Sequence, residues 1–207
     1  MLDQAHIDNI INLTMIQCLA LISPGPDFAI VLRHSIQSGK AQGLFTAFGI
    51  TCGVFIHVLY SSLGFSQLIT QYYILYWIVK IFAFLYLSKL AYKLMISSQT
   101  LDLNLSKNKK TKNLEAFKDG LFTNILNPKC IIFFLSIFSV AIEPNTPLIV
   151  LLIDIAMVFI TTFIWFCLVA SLLSSEKIRA IYFKYYKRAN SLIGILLIFF
   201  AFKLLID

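Results

Sequence analysis

Polar positions along this chain come in short clusters between long apolar runs. Six apolar segments can be drawn, at residues 7–33, 41–65, 71–95, 117–142, 147–174 and 189–206. A helix needs about 20 predominantly apolar residues to cross the hydrocarbon of a bilayer, and each segment is of that order. The plainest stretch is 41–79, which contains no Asp, Glu, Lys or Arg and has the length of two crossings joined by a short turn. The pattern predicts an all-α membrane protein with six transmembrane helices.

The connections between these segments alternate in charge. Arg33, His34 and Lys40 lie between the first two segments, Lys107, Lys109, Lys110, Lys112 and Lys118 between the third and fourth, and Lys177, Arg179, Lys184, Lys187 and Arg188 between the fifth and sixth. The connections around 66–70 and 143–147 contain no Lys or Arg. The positive-inside rule then puts three basic connections in the cytoplasm and both termini on the outer face. The one long polar connector divides the chain into a first three-helix repeat at 1–96, a cytoplasmic basic linker at 97–116 and a second three-helix repeat at 117–207. Three is odd, so halves sharing a fold would be inverted relative to one another in the membrane, as in many secondary transporters.

Composition agrees and adds two exclusions. With 59% hydrophobic and 13% charged residues, the chain is outside the range of a soluble globular domain. The net charge of +7 falls in the connections, where an anionic leaflet accounts for it, so no nucleic-acid partner is expected. The acidic, polar N-terminus has no basic region or cleavage pattern ahead of the first apolar run, and the first helix is expected to stay. Cys18, Cys52, Cys130 and Cys167 lie singly in apolar segments and form no CxxC pair, so neither a disulfide framework nor a metal site is expected.

The candidate chemistry sits where the apolar runs are interrupted. Pro24, Gly25, Pro26 and Asp27 interrupt the first segment, and Asn127, Pro128 and Lys129 the fourth. Proline removes a backbone donor and breaks the helix, which is tolerated at membrane depth only where protein or water satisfies the freed groups. Paired interruptions in corresponding spans point to a central binding site. Asp27 must face the interior, water or a cation, as a coupling carboxylate or substrate ligand, or else as a cap paired with Arg33. Lys129 could bind a substrate carboxylate or neutralise Asp27. Asp154 interrupts the fifth segment and suits either coupling or a wet interfacial position. His57 is a proton-relay candidate or a packed, hydrogen-bonded side chain. Lys80 is expected to snorkel to water from the outer end of the third span. Tyr72, Tyr73, Tyr76 and Trp77 read as an aromatic belt. Gly49 and Gly53, in GxxxG spacing, read as a close-packing face within or between subunits, which makes a homodimer reasonable. No GxSxG, HExxH or Walker A pattern occurs, so neither enzyme chemistry nor nucleotide-driven pumping is expected, and no cofactor.

These residues resemble the lysine exporter (LysE/RhtB) family of amino-acid exporters. Residues 21–33, LISPGPDFAIVLR, resemble its N-terminal signature. The glycines of 43–57, Lys80 and Tyr86 within 80–93, and Phe117, Gly120, Asn124 and Asn127-Pro128-Lys129 within 117–134 fit the same pattern. Ala83 and Ala91 depart from it where glycine is usual, and Cys130 where alanine is commoner. The resemblance implies a bacterial inner-membrane secondary transporter that exports amino acids or related small metabolites in exchange for protons. On that reading Asp27 is the coupling residue, and Asn127 and the broken helices contact substrate. A soft-metal cation exporter on the same fold and a non-transporting membrane scaffold are the alternatives.

Overall fold

The computed structural model describes residues 4–23, 25–62, 72–96, 111–142 and 146–206. Pro24, the 66–70 connection, most of the 97–116 linker and residues 143–145 lie outside the described residues. The described residues form helices and no strand: α1 (Gln4–Ile22), α2 (Pro26–Gln37), α3 (Lys40–Tyr60), α4 (Tyr73–Ile96), α5 (Asn113–Ile125), α6 (Pro128–Ala141), α7 (Leu148–Leu172) and α8 (Glu176–Ile206). By length and composition α1, α3 and α7 can each cross a membrane, and α5 with α6 makes a fourth crossing if that pair, bent by 56°, is one span. Large apolar side chains such as Leu85, Ile149, Ile160 and Phe199 are exposed on the outside of the bundle, as lipid-facing positions are.

The breaks fall where the prolines predict. The first segment splits into α1 and α2 with Gly25 as N-cap and Pro26 in the first turn of α2. The fourth splits into α5 and α6 with Asn127 as N-cap and Pro128 in the first turn of α6. Proline is at home there because a first-turn N–H has no intrahelical acceptor to lose. The two breaks therefore share one register: cap, proline, charged residue. The charges are Asp27 in one and Lys129 in the other.

Two expectations need correction, and a third is narrowed. The last connection is not a loop, since its basic residues from Lys177 to Arg188 are the first turns of α8, which runs for 31 residues. Nothing there stops a helix, because the stretch has no glycine or proline, and lysine and arginine are good helix formers. Lys80 does not snorkel: it is only 3% exposed, with its Nζ 5.0 Å from the centre of the Trp77 ring. Gly49 and Gly53 face α5 of the same chain, so the close packing expected of them is packing within the subunit.

That α3–α5 crossing positions the site. A Cβ on Gly49 would collide with the carbonyl oxygen of Phe117, and one on Gly120 with that of Thr46. Only glycine allows the two backbones to approach so closely. One turn further, a Cβ on Gly53 would lie 2.6 Å from Asn124 Oδ1. The crossing thus presses Asn124 into the interior, where it is 0% exposed. On the other side of the bundle α4 packs along α8. Ala91 stands there in place of the usual glycine, and close approach comes from Gly194, whose Cβ would lie 2.9 Å from the Ala91 carbonyl oxygen.

Candidate functional site

Proline removes a donor, so each break strands carbonyl groups on the helix before it. The Ala20 carbonyl is four residues before Pro24, and the Asn124 carbonyl is four before Pro128, so neither can receive the usual i+4 amide. The Asn124 carbonyl accepts the Asn127 amide in a tighter turn, at 3.0 Å, and each of the two carbonyls also meets a side chain from elsewhere in the fold. Lys129 Nζ donates to the carbonyl oxygens of Ala20 and Ser23, at 3.0 Å each. His57 Nε2, 3.0 Å from the Asn124 carbonyl oxygen, donates to it, because that oxygen can only accept. With Nε2 as the donor in a neutral ring, His57 Nδ1 accepts from the Tyr60 hydroxyl, at 2.7 Å. His57 also stacks on Phe134, with the ring planes 7° apart.

The first turn of each second helix is tied to the other break as well. Asn124 Nδ2 donates to Asp27 Oδ2 at 2.9 Å, and the Cys130 thiol donates to the same oxygen at 3.3 Å. Asn127 caps α6 by accepting the Lys129 amide on its Oδ1, at 3.0 Å. The Tyr86 hydroxyl on α4 donates to the Lys129 carbonyl at 2.9 Å, fixing that turn from behind. Asp27 sits in the first turn of α2, where the helix dipole favours an anion, while the Lys129 ammonium reaches the carbonyl end of α1, where it favours a cation.

The two breaks enclose a cavity of about 40 Å³. That is room for a few water molecules. Its polar lining comes from Ser23, Gly25, Asp27, Asn127 and Lys129, its apolar walls from Phe28, Val54, Phe133, Phe134 and Phe166. Two polar atoms at this site are buried without a hydrogen-bond partner among the described residues: the acceptor Asp27 Oδ1 and the donor Asn127 Nδ2. Buried polar groups in folded proteins are nearly always paired, so an open acceptor and an open donor on one cavity mark a place for a ligand or water.

Most of the predicted residues are brought together. Gly25, Asp27, Asn127 and Lys129 line the cavity, Asn124 holds Asp27, and Pro26 and Pro128 start the helices that carry them. Asp27 is not capped by Arg33, whose Nε donates instead to Gln37 at 3.2 Å. His57 touches the site only through the Asn124 backbone. Asp154 is buried on α7, its Oδ1 also without a partner among the described residues, but it does not line the cavity. Sequence reasoning missed Gln17. It lines the cavity from α1, its Nε2 donating to Thr162 Oγ1 at 3.0 Å and its Oε1 accepting from Thr161 Oγ1 at 2.9 Å. An amide in the middle of the first apolar run was the available signal. Of the cysteines, only Cys130 lines the cavity, and no three His, Cys, Asp or Glu side chains converge on a metal-sized site among the described residues.

Known proteins resemble this chain over nearly its whole length. The family model described as LysE type translocator matches residues 18–207. The threonine efflux protein of Escherichia coli (strain K12) is 28% identical over 200 residues, covering 95% of this chain and 97% of that protein. The threonine efflux protein of Salmonella typhi is 29% identical over 199 residues with the same coverage. An uncharacterized membrane protein of Escherichia coli (strain K12), YahN, is 26% identical over 190 residues, 91% of this chain and 85% of its own. No solved structure matches the chain.

Proposed function

Because the chain belongs to the LysE type translocator family, we propose that it is a secondary transporter that exports amino acids or related small metabolites across the bacterial inner membrane in exchange for protons. The efflux reading is supported by the threonine efflux proteins that resemble it over nearly their whole length. The observation that carries the mechanism is Asp27: a buried carboxylate at a helix break on the cavity lining, one oxygen held by Asn124 and Cys130 and the other without a partner among the described residues.

Such a carboxylate binds a proton or a substrate ammonium in turn, and exchange follows if the two compete for one oxygen. Asn127 offers a donor for the opposite end of the substrate, and Pro24, Gly25, Pro26 and Pro128 keep the breaks open. Asn124 and Lys129 hold the two breaks together, and Asp154 serves as a second protonatable group along α7. The matched cap–proline–charge registers support two inverted three-helix repeats, and the alternating basic connections support both termini on the outer side.

The test is efflux from vesicles containing the purified protein, preloaded with amino acids and exposed to a pH gradient. Gradient-driven efflux that is lost in Asp27→Asn supports the reading. Wild-type efflux in that variant removes Asp27 from coupling, and no efflux of any amino acid removes the transport reading altogether.

A further inference from the structure

Resting on the exporter reading above, the cavity walls say more about the cargo. Its charged groups are one carboxylate and one ammonium, Asp27 and Lys129, and the Lys129 ammonium already donates to two carbonyls. The open acceptor and open donor, Asp27 Oδ1 and Asn127 Nδ2, match the ammonium and carboxylate of a zwitterion. Beyond that polar end the lining changes character. Leu21, Phe28, Val54, Phe133, Phe134 and Phe166 form it, and four of these are aromatic. Gln17 faces the same space, but its amide nitrogen and oxygen are engaged by Thr162 and Thr161. Among the described residues Ser23 supplies the only side-chain hydroxyl on the lining, and its carbonyl meets Lys129.

We propose that these walls, once the site widens beyond the few-water room it has here, select a neutral amino acid with an apolar side chain, of the leucine or methionine kind, over one with a hydroxylated or cationic side chain. A second ammonium entering this cavity would find no second carboxylate among the lining residues, and a buried charge is costly unless paired. A side-chain hydroxyl would lose its water against phenylalanine rings. An aliphatic or thioether side chain gains from the same rings by burial and by sulfur–aromatic contact.

The experiment is counterflow of labelled leucine, methionine, threonine and lysine into vesicles containing the purified protein and preloaded with the same unlabelled compound. The half-saturating concentrations of leucine and methionine are expected to lie about tenfold below that of threonine, and lysine is expected to move no faster than into protein-free vesicles. Threonine or lysine moved as well as leucine overturns the proposal while leaving the exporter reading intact. Movement of none of the four by protein that is folded in the vesicles also overturns the proposal, and the exporter reading falls with it only if the wider amino-acid efflux test above is negative too. A second measurement uses Val54→Thr, nearly isosteric, which puts a hydroxyl on the wall. The half-saturating concentration of threonine relative to that of leucine is expected to fall about fivefold. An unchanged ratio in a variant that unfolds at the wild-type temperature overturns the wall's role.

Discussion

The two broken spans are built to one register and finished differently. Each has a cap, a proline in the first turn and then a charged residue, Asp27 in α2 and Lys129 in α6. Lys129 spends its ammonium on the stranded carbonyls of the other break, whereas Asp27 commits one oxygen to Asn124 and Cys130 and its other oxygen has no partner among the described residues. The same backbone device therefore yields a strut on one side and a carboxylate with an unpartnered oxygen on the other. Which residue follows the proline matters less than whether its polar atoms are already satisfied.

Both halves of the comparison depend on the α3–α5 crossing, so the largest effect is expected there. Gly120→Val places branched carbons against the Thr46 carbonyl, with no flexible side chain to yield. The cost should be at least about 3 kcal/mol, as for severe overpacking, read as loss of folded, monodisperse protein in detergent. Wild-type stability in that variant would mean that the backbones do not approach as described.

Asp27→Asn and Lys129→Met then test the comparison directly. The first keeps an acceptor for Asn124 and should leave the unfolding temperature near that of the wild type, while lowering gradient-driven efflux about a hundredfold if the carboxylate carries the proton. The second strands the carbonyls of Ala20 and Ser23 and should destabilise by about 1–3 kcal/mol, with residual transport at temperatures where the variant is folded. The opposite result, a stable Lys129→Met with no transport beside an unstable Asp27→Asn with full transport, would exchange the roles.

Much of this comparison was legible in the sequence, because prolines and charges inside apolar runs are costly and must be explained. The breaks at Pro24-Gly25-Pro26 and Asn127-Pro128, and the close packing of Gly49 and Gly53, all follow from that. What the sequence could not show is which partner answers each cost. Asp27 has Arg33 within two turns, yet it is held by Asn124, 97 residues away. Lys80 looked able to reach water, and the depth of its burial is a property of the bundle, not of its neighbours in sequence. The basic stretch that opens α8 was read as a connection because charge marks the edge of a span, but charge does not end a helix. Gln17 was passed over because a single amide in an apolar run has no meaning until Thr161 and Thr162 stand beside it.

A smaller effect separates the two readings of His57. As a packed donor to the Asn124 carbonyl it can be replaced by Gln, which also carries an amide donor, at a cost of about 1 kcal/mol. The pH profile of transport should then keep its shape, and a profile that loses a limb near neutrality would make His57 a relay after all.

The smallest effect lies at the far end of α2, outside the spans, where the two halves are joined once more. His34 Nε2 is 3.0 Å from Asp119 Oδ2 on α5. Burial pushes the His34 imidazole below its ordinary value, and this outweighs the upward pull of Asp119, which is itself half exposed. A histidine that holds its proton less well folded than unfolded contributes stability that is present above the unfolded value of 6.5 and is lost as pH falls below it. The protein should therefore unfold at a slightly lower temperature at pH 5.5 than at pH 7.5. His34→Gln should reduce that difference by an amount worth less than about 1 kcal/mol, the scale of a partly exposed pair. If the wild type is instead more stable at the lower pH, the Asp119 carboxylate dominates, and the α2–α5 contact is an ion pair that strengthens on protonation.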